Sequence, residues 1–135
     1  MAETFELEIA TPERLLARTT VREAEIPAAN GYIGVLPQHA PLLSELGTGD
    51  MWYVDEDGKR KHLALAGGWV EVVSGHVRVL ADRAEYAEEV DVARAEAALM
   101  RANERMAHPG AGMDVGRALN AMKRARSRLE AARQK

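Results

Sequence analysis

Hydrophobic and polar positions alternate along the first two thirds of the chain, then change period near residue 90. Phe5–Glu6–Leu7–Glu8–Ile9 and His76–Val77–Arg78–Val79–Leu80 alternate with a period of two, which puts successive side chains on opposite faces of a strand. The alanine- and arginine-rich stretches 91–107 and 115–133 instead repeat near every 3.6 residues, the helical period. The pattern predicts an all-β body followed by a helical hairpin.

Strands are expected at Phe5–Thr11, ended by Pro12, and at Leu15–Val21 and Glu23–Pro27, with continuity across Thr19–Arg22 left open. Asn30–Gly31 reads as a tight turn into Tyr32–Leu36. Pro37–Gln38–His39–Ala40–Pro41 fixes φ twice and removes two backbone donors, so a stiff surface loop is expected there. Gly47 and Gly49 bracket a bend before Met51–Val54, and Asp57–Gly58 turns the chain into Lys59–Ala66. Gly67–Gly68 is expected to separate that strand from Trp69–Val73, and Ser74–Gly75 to separate the latter from His76–Ala81. Short strands at such intervals, with no helix between them, favour a sandwich or flattened barrel over βαβ units. The hinge is expected over Ala81–Val90.

In the first helix Val92, Ala95, Leu99, Ala102 and Met106 form an apolar stripe, with Asp91 as N-cap and Pro109–Gly110 as the stop. Asp114 is placed to cap the second helix, whose stripe is Val115, Ala118, Leu119, Met122, Ala125, Leu129 and Ala132. So many alanines favour helix and close approach but bury little area, so the hairpin is expected to be stable only when docked.

Charge sharpens this division. Residues 1–90 carry 8 basic and 16 acidic side chains, whereas residues 91–135 carry 10 and 5. A basic appendage on an acidic body suits docking on that body, an acidic partner or phosphates. Nucleic acid is disfavoured because the basic stretch lacks interleaved aromatics. Without cysteine there is no disulfide, thiol catalysis or Cys-held metal. The N-terminus lacks the pattern of a signal peptide, and no apolar run approaches about 18 residues.

No enzyme constellation is present: the serines lack a nucleophile setting, the histidines lack a ligand pair, and no catalytic or metal residues are assigned. The clearest chemical grouping is on the helices. Asp91 and Arg94 open the first, and Arg124 and Arg128 stand four apart on the second. Antiparallel pairing would bring these together, where three guanidinium groups suit a polyphosphate. Capping pairs and a protein-facing surface fit the same spacing.

In Gly31–Tyr32–Ile33–Gly34–Val35–Leu36–Pro37–Gln38–His39–Ala40–Pro41–Leu42–Leu43 the chain resembles the most recognisable motif of the epsilon subunit of bacterial and chloroplast F-type ATP synthases. Gly67–Gly68–Trp69–Val70–Glu71–Val72, Val77 to Glu85 and Val90–Asp91–Val92–Ala93–Arg94–Ala95 match later segments in order. Tyr32 stands where many members have an acidic residue, and Gln38 where glycine is common.

The resemblance implies a ten-stranded β-sandwich over 1–86 and an antiparallel two-helix hairpin over 87–135. It implies a non-catalytic central-stalk subunit of the proton-translocating ATP synthase, bound to the gamma subunit and the c-ring and regulating ATP hydrolysis. The loop residues Pro37, His39, Pro41 and Leu42 are the expected rotor contact, with His39 read equally as a hydrogen-bond partner within the loop. Lys123, Arg126 and Arg133 are expected to meet the alpha and beta subunits when the hairpin extends. Some members bind ATP in the folded hairpin, and Asp91, Arg94, Arg124 and Arg128 match that motif, with Val90 departing from the usual Ile or Leu. The implied setting is peripheral, on the cytoplasmic face of the bacterial cell membrane. Apart from the resemblance, the residues also fit a free ATP-sensing module or a structural adaptor that does not switch.

Overall fold

Strand-forming alternation is realised in seven strands, and helical periodicity in two helices. The computed structural model describes residues 3–134. The strands are β1 (Phe5–Ala10), β2 (Leu15–Ala28), β3 (Gly31–Val35), β4 (Leu42–Glu45), β5 (Thr48–Asp55), β6 (Arg60–Val73) and β7 (His76–Tyr86). A single 3₁₀ turn, Ala87–Glu89, leads to α1 (Val92–Ala107) and α2 (Val115–Ala132).

Five strands hydrogen-bond in a closed circuit, β1–β7–β6–β5–β2 and back to β1, with β3 added beside β2 and β4 beside β6. The β1–β7 pair is parallel, whereas the other strand pairs are antiparallel. Closure leaves few unpaired edges on the body.

This corrects the expected ten-stranded sandwich: the body is a five-stranded barrel with two added strands. The count of ten was implied by the resemblance; in this chain turn chemistry twice bends a strand without ending it. β2 runs 14 residues through a register shift between Val21 and Glu23, and β6 runs 14 residues through Gly67–Gly68. Both glycines sit at positive φ, 71° and 110°. At Gly68 a Cβ would come within 2.1 Å of the Leu80 carbonyl oxygen, so glycine lets β6 cross β7 closely while bending.

The barrel core is aliphatic. Leu7, Ile9, Val21, Ile26, Met51, Leu63, Leu65 and Val79 are all at most 1% exposed. Burying each such side chain stabilises by about 1.5–3 kcal/mol. The predicted face of Phe5, Leu7 and Ile9 is the buried face of β1.

The connection is shorter than the expected hinge over Ala81–Val90. β7 continues to Tyr86, opposite Leu63, because residues 81–86 find a ladder partner in β6. That leaves residues 87–91, with Ala87 and Val90 buried. Both guanidinium nitrogens of Arg14 bond the Glu89 carboxylate at 2.8 Å, and Glu89 Oε1 also accepts from the Tyr86 N–H at 2.9 Å.

The hairpin is folded against the barrel. α2 packs on β5 and β6, and α1 packs on α2. Ala64, Ala87 and Ala131 form the small apolar seam beneath α2. Asp91 and Asp114 cap the helices, accepting from the Arg94 and Arg117 N–H groups at 3.0 and 2.9 Å. Ala95, Ala102, Ala118 and Ala125 of the predicted stripes are buried, but Val92 and Val115 are exposed. Ser127 and Ala131, outside those stripes, are also buried, because α2 has α1 on one side and the barrel on another.

Candidate functional site

The docked hairpin encloses a cleft of about 830 Å³ against β6 and β7. Its wall contains Arg94, Arg101 and Arg105 from α1, Arg124, Ser127 and Arg128 from α2, and Arg83 and Glu85 from β7. Three of the four residues chosen for an anion site, Arg94, Arg124 and Arg128, therefore share one cavity. Asp91 is exposed and caps α1 instead of lining the cleft.

The cleft is basic but not uniformly so. Arg128 Nε donates to Glu85 Oε1, so one guanidinium is already paired with the barrel. Burial, and then the charges of Arg83 and Arg117, hold the Arg124 guanidinium below its ordinary proton affinity. Ser127 is 3% exposed, and its Oγ has no hydrogen-bond partner among the described residues. Clustered like charges beside an unpaired buried hydroxyl suit an anion with several acceptor oxygens. Glu13, Asp82 and Glu85 on the same wall give the cleft acceptors for donor groups.

The sequence reading missed Arg101, Arg105, Ser127 and Arg83. A signal for two of them was present. Arg94, Arg101 and Arg105 have the same spacing as Arg117, Arg124 and Arg128, a row of arginines along one side of each helix. Arg83 and Ser127 depend on how α2 sits on the barrel, which no periodicity shows.

The second group of chosen residues lies in and after the stiff loop. The His39 N–H donates to the Leu36 carbonyl at 3.2 Å, and His39 Nδ1 lies 2.6 Å from the Ala40 carbonyl oxygen. His39 is thus held within its own loop. Gln38 between them has φ 66°, the one non-glycine residue at positive φ among those described. Pro41 is exposed and Pro37 half-buried. Leu42, expected to be available to a partner, pairs with Val72 and packs toward the core. Strand alternation makes its neighbour Leu43 the outward residue, 66% exposed. Leu43 lies on the same outer surface as Trp69 and Leu80, which are paired across β6 and β7 and are also exposed.

The third group, Lys123, Arg126 and Arg133, is exposed on or just beyond α2. No group of three His, Asp or Glu side chains suited to a metal occurs among the described residues. No helix among them is long and apolar enough to cross a membrane.

Two family models match the chain. Residues 4–87 match the beta-sandwich domain of the ATP synthase delta/epsilon chain, and residues 88–133 match its long alpha-helix domain. The ATP synthase epsilon chain of Solibacter usitatus is 51% identical over 135 residues, covering all of both chains. That of Desulforamulus reducens is 41% identical over 132 residues, covering 98% of this chain and 99% of the relative. Among solved structures, a chain of the Euglena gracilis mitochondrial ATP synthase (OSCP/F1/c-ring) superposes with a TM-score of 0.83 at 24% identity. The match covers 96% of this chain and 81% of that one. A chain of the Tetrahymena thermophila mitochondrial ATP synthase central stalk and c-ring gives 0.58 at 13% identity, covering 98% and 96%.

Proposed function

The chain belongs to the delta/epsilon chain family of ATP synthases, and from that premise we propose how its two parts divide the work. It is a non-catalytic central-stalk subunit that couples the F-type catalytic core to the rotor. The barrel is the fixed adaptor, holding the gamma subunit and the c-ring through its exposed loop and outer strands. The hairpin is the regulatory part. Docked, it leaves ATP hydrolysis free; extended along gamma, it brings Lys123, Arg126 and Arg133 to the alpha and beta subunits and inhibits hydrolysis. ATP favours the docked form by binding in the cleft, with Arg94, Arg124 and Arg128 on its phosphates and Asp91 fixing the start of α1. The subunit is peripheral, on the cytoplasmic face of a bacterial membrane.

The observation that carries this reading is the seat of α2. It rests on alanines, which bury little area, above a cleft walled by arginines from both helices and from β7. Such a seat is readily vacated and readily stabilised by a polyanion. The test is reconstitution with alpha, beta and gamma subunits, using the full chain and one ended after Glu89. Both should bind gamma stoichiometrically, and the shortened chain should give faster ATP hydrolysis. Failure to bind gamma would overturn the stalk assignment of the barrel; equal hydrolysis at full occupancy would remove the switch alone.

A further inference from the structure

Among the described residues, Ser127 Oγ is the one buried side-chain polar atom without a hydrogen-bond partner. The residue is 3% exposed and borders the arginine cleft. Contacts on either side of it fix its place. Arg128, the next residue, donates to Glu85 of β7. Ala131, one turn on, joins Ala64 and Ala87 in the apolar seam, and Ala64 stands opposite Glu85 in the β6–β7 register. Arg124, three residues back on the same side of α2, also lines the cleft. Ser127 therefore belongs to the turn of α2 pressed onto the barrel, between two guanidinium groups of the cleft wall.

A serine within a helix commonly bonds the carbonyl one turn back, here that of Lys123, but this hydroxyl does not. On a released hairpin the same hydroxyl meets water. Docking removes that water and supplies no partner, so the docked state alone carries an unpaired hydroxyl. No bond holds the oxygen in its rotamer, and an acceptor in the cleft can draw it outward.

On the basis of the nucleotide reading of the cleft, we propose that Ser127 is a further ligand contact. Its hydroxyl donates to a phosphoryl oxygen held between Arg124 and Arg128, and this bond makes hairpin docking depend on the ligand. The flanking residues set the ligand class. Guanidinium groups only donate, so a hydroxyl between two of them lacks an acceptor, and an oxyanion with several lone pairs satisfies all three. In the empty cleft the serine opposes docking, because its hydroxyl is unpaired. In the filled cleft it favours docking, because its bond to the ligand exists only when α2 is seated. An alanine at this position does neither.

Ser127→Ala separates this role from packing. Met100→Cys and Val73→Cys, in a chain with no native cysteine, place labels at exposed sites on α1 and the barrel. Energy transfer between them, followed through a urea series on the full chain, reads hairpin release. Tryptophan emission reads unfolding of the barrel. Without nucleotide, Ser127→Ala should raise the docked-to-released ratio at fixed urea about fivefold. In calorimetry without urea, the substitution should weaken ATP binding about tenfold, and inorganic triphosphate by the same factor, since the lost bond is to a phosphoryl oxygen. Tighter docking alone would leave ATP binding unchanged or strengthen it. ATP binding that is unchanged or tighter in Ser127→Ala therefore overturns the proposal and leaves the nucleotide reading standing. So does a docking ratio that fails to rise in the empty chain, or a loss confined to ATP while triphosphate binds as before. No heat from ATP or triphosphate with the native chain instead removes the nucleotide reading, and the proposal falls with it.

Discussion

The barrel and the hairpin are both well-formed secondary structure, but they are held by different side chains. The barrel buries Leu7, Ile9, Met51, Leu63 and Leu65 around one centre. The hairpin buries Ala95, Ala102, Ala118, Ala125 and Ala131, with Ser127 among them. A methyl group buries little beside an isobutyl side chain, and free energy scales with that area. Alanine and the two aspartate caps favour helix formation, whereas helix placement is only weakly enforced. The comparison separates two properties that a folded picture merges: how firmly an element forms, and how firmly it is positioned.

The largest expected effect tests the firm side. Leu65→Ala, at a site 1% exposed, should destabilise the barrel by about 2–5 kcal/mol, read from urea unfolding by tryptophan emission. The same substitution should move the barrel transition to lower urea while leaving the helix transition of the hairpin nearly where it was. If helix and barrel signals are lost together at every urea concentration, the two parts are one cooperative unit and the contrast fails.

Next in size is the arginine cleft. Arg124→Ala should weaken ATP binding by about 1–3 kcal/mol, measured by calorimetry, because it removes a charge-assisted bond. Arg128 offers a sharper comparison, since its partner Glu85 competes with any phosphate for the same guanidinium. Glu85→Gln should therefore tighten ATP binding, while Arg128→Ala weakens it. An isolated full chain that gives no heat at millimolar ATP would remove nucleotide from the function of this cleft.

These residues also show what the sequence could reveal. Periodicity located the body, both helices, their caps and three of the cleft arginines, because each depends on neighbours within a few positions. It failed at Gly67–Gly68, where the same chemistry serves a bend inside β6 as serves a break between strands. It failed at Leu42 because the stiff loop hides the register at which β4 begins, and one residue of register exchanges the faces. Arg83 and Ser127 were invisible for a third reason. They become a site only through the docking of α2, a contact between distant segments.

The turn at Gln38 gives a smaller effect. A side chain at φ 66° is strained relative to glycine, which offsets this by its greater freedom when unfolded. Gln38→Gly should raise barrel stability by about 0.5–1 kcal/mol in urea. A loss of stability would show that the weak amide contact from Gln38 Nε2 to Glu3 Oε1, at 3.4 Å, outweighs the strain.

The smallest expected effect lies at the join between the two regions. Arg14 holds Glu89 through two bonds of 2.8 Å, but the two side chains are 47% and 39% exposed. Solvent screening limits such a pair to roughly half a kcal/mol. Arg14→Ala should therefore lower the urea midpoint for hairpin release slightly, with less difference at high salt. The pH dependence has a definite sign. The Arg14 bond first, and the Tyr86 N–H second, hold the Glu89 carboxyl below its ordinary value of 4.5. The contribution is therefore complete above that value and lost as the pH falls through the lowered one. Native and Arg14→Ala release curves should converge in acid. If they differ equally at every pH, Arg14 acts through packing of its aliphatic stem and the carboxylate is not the anchor of the connection.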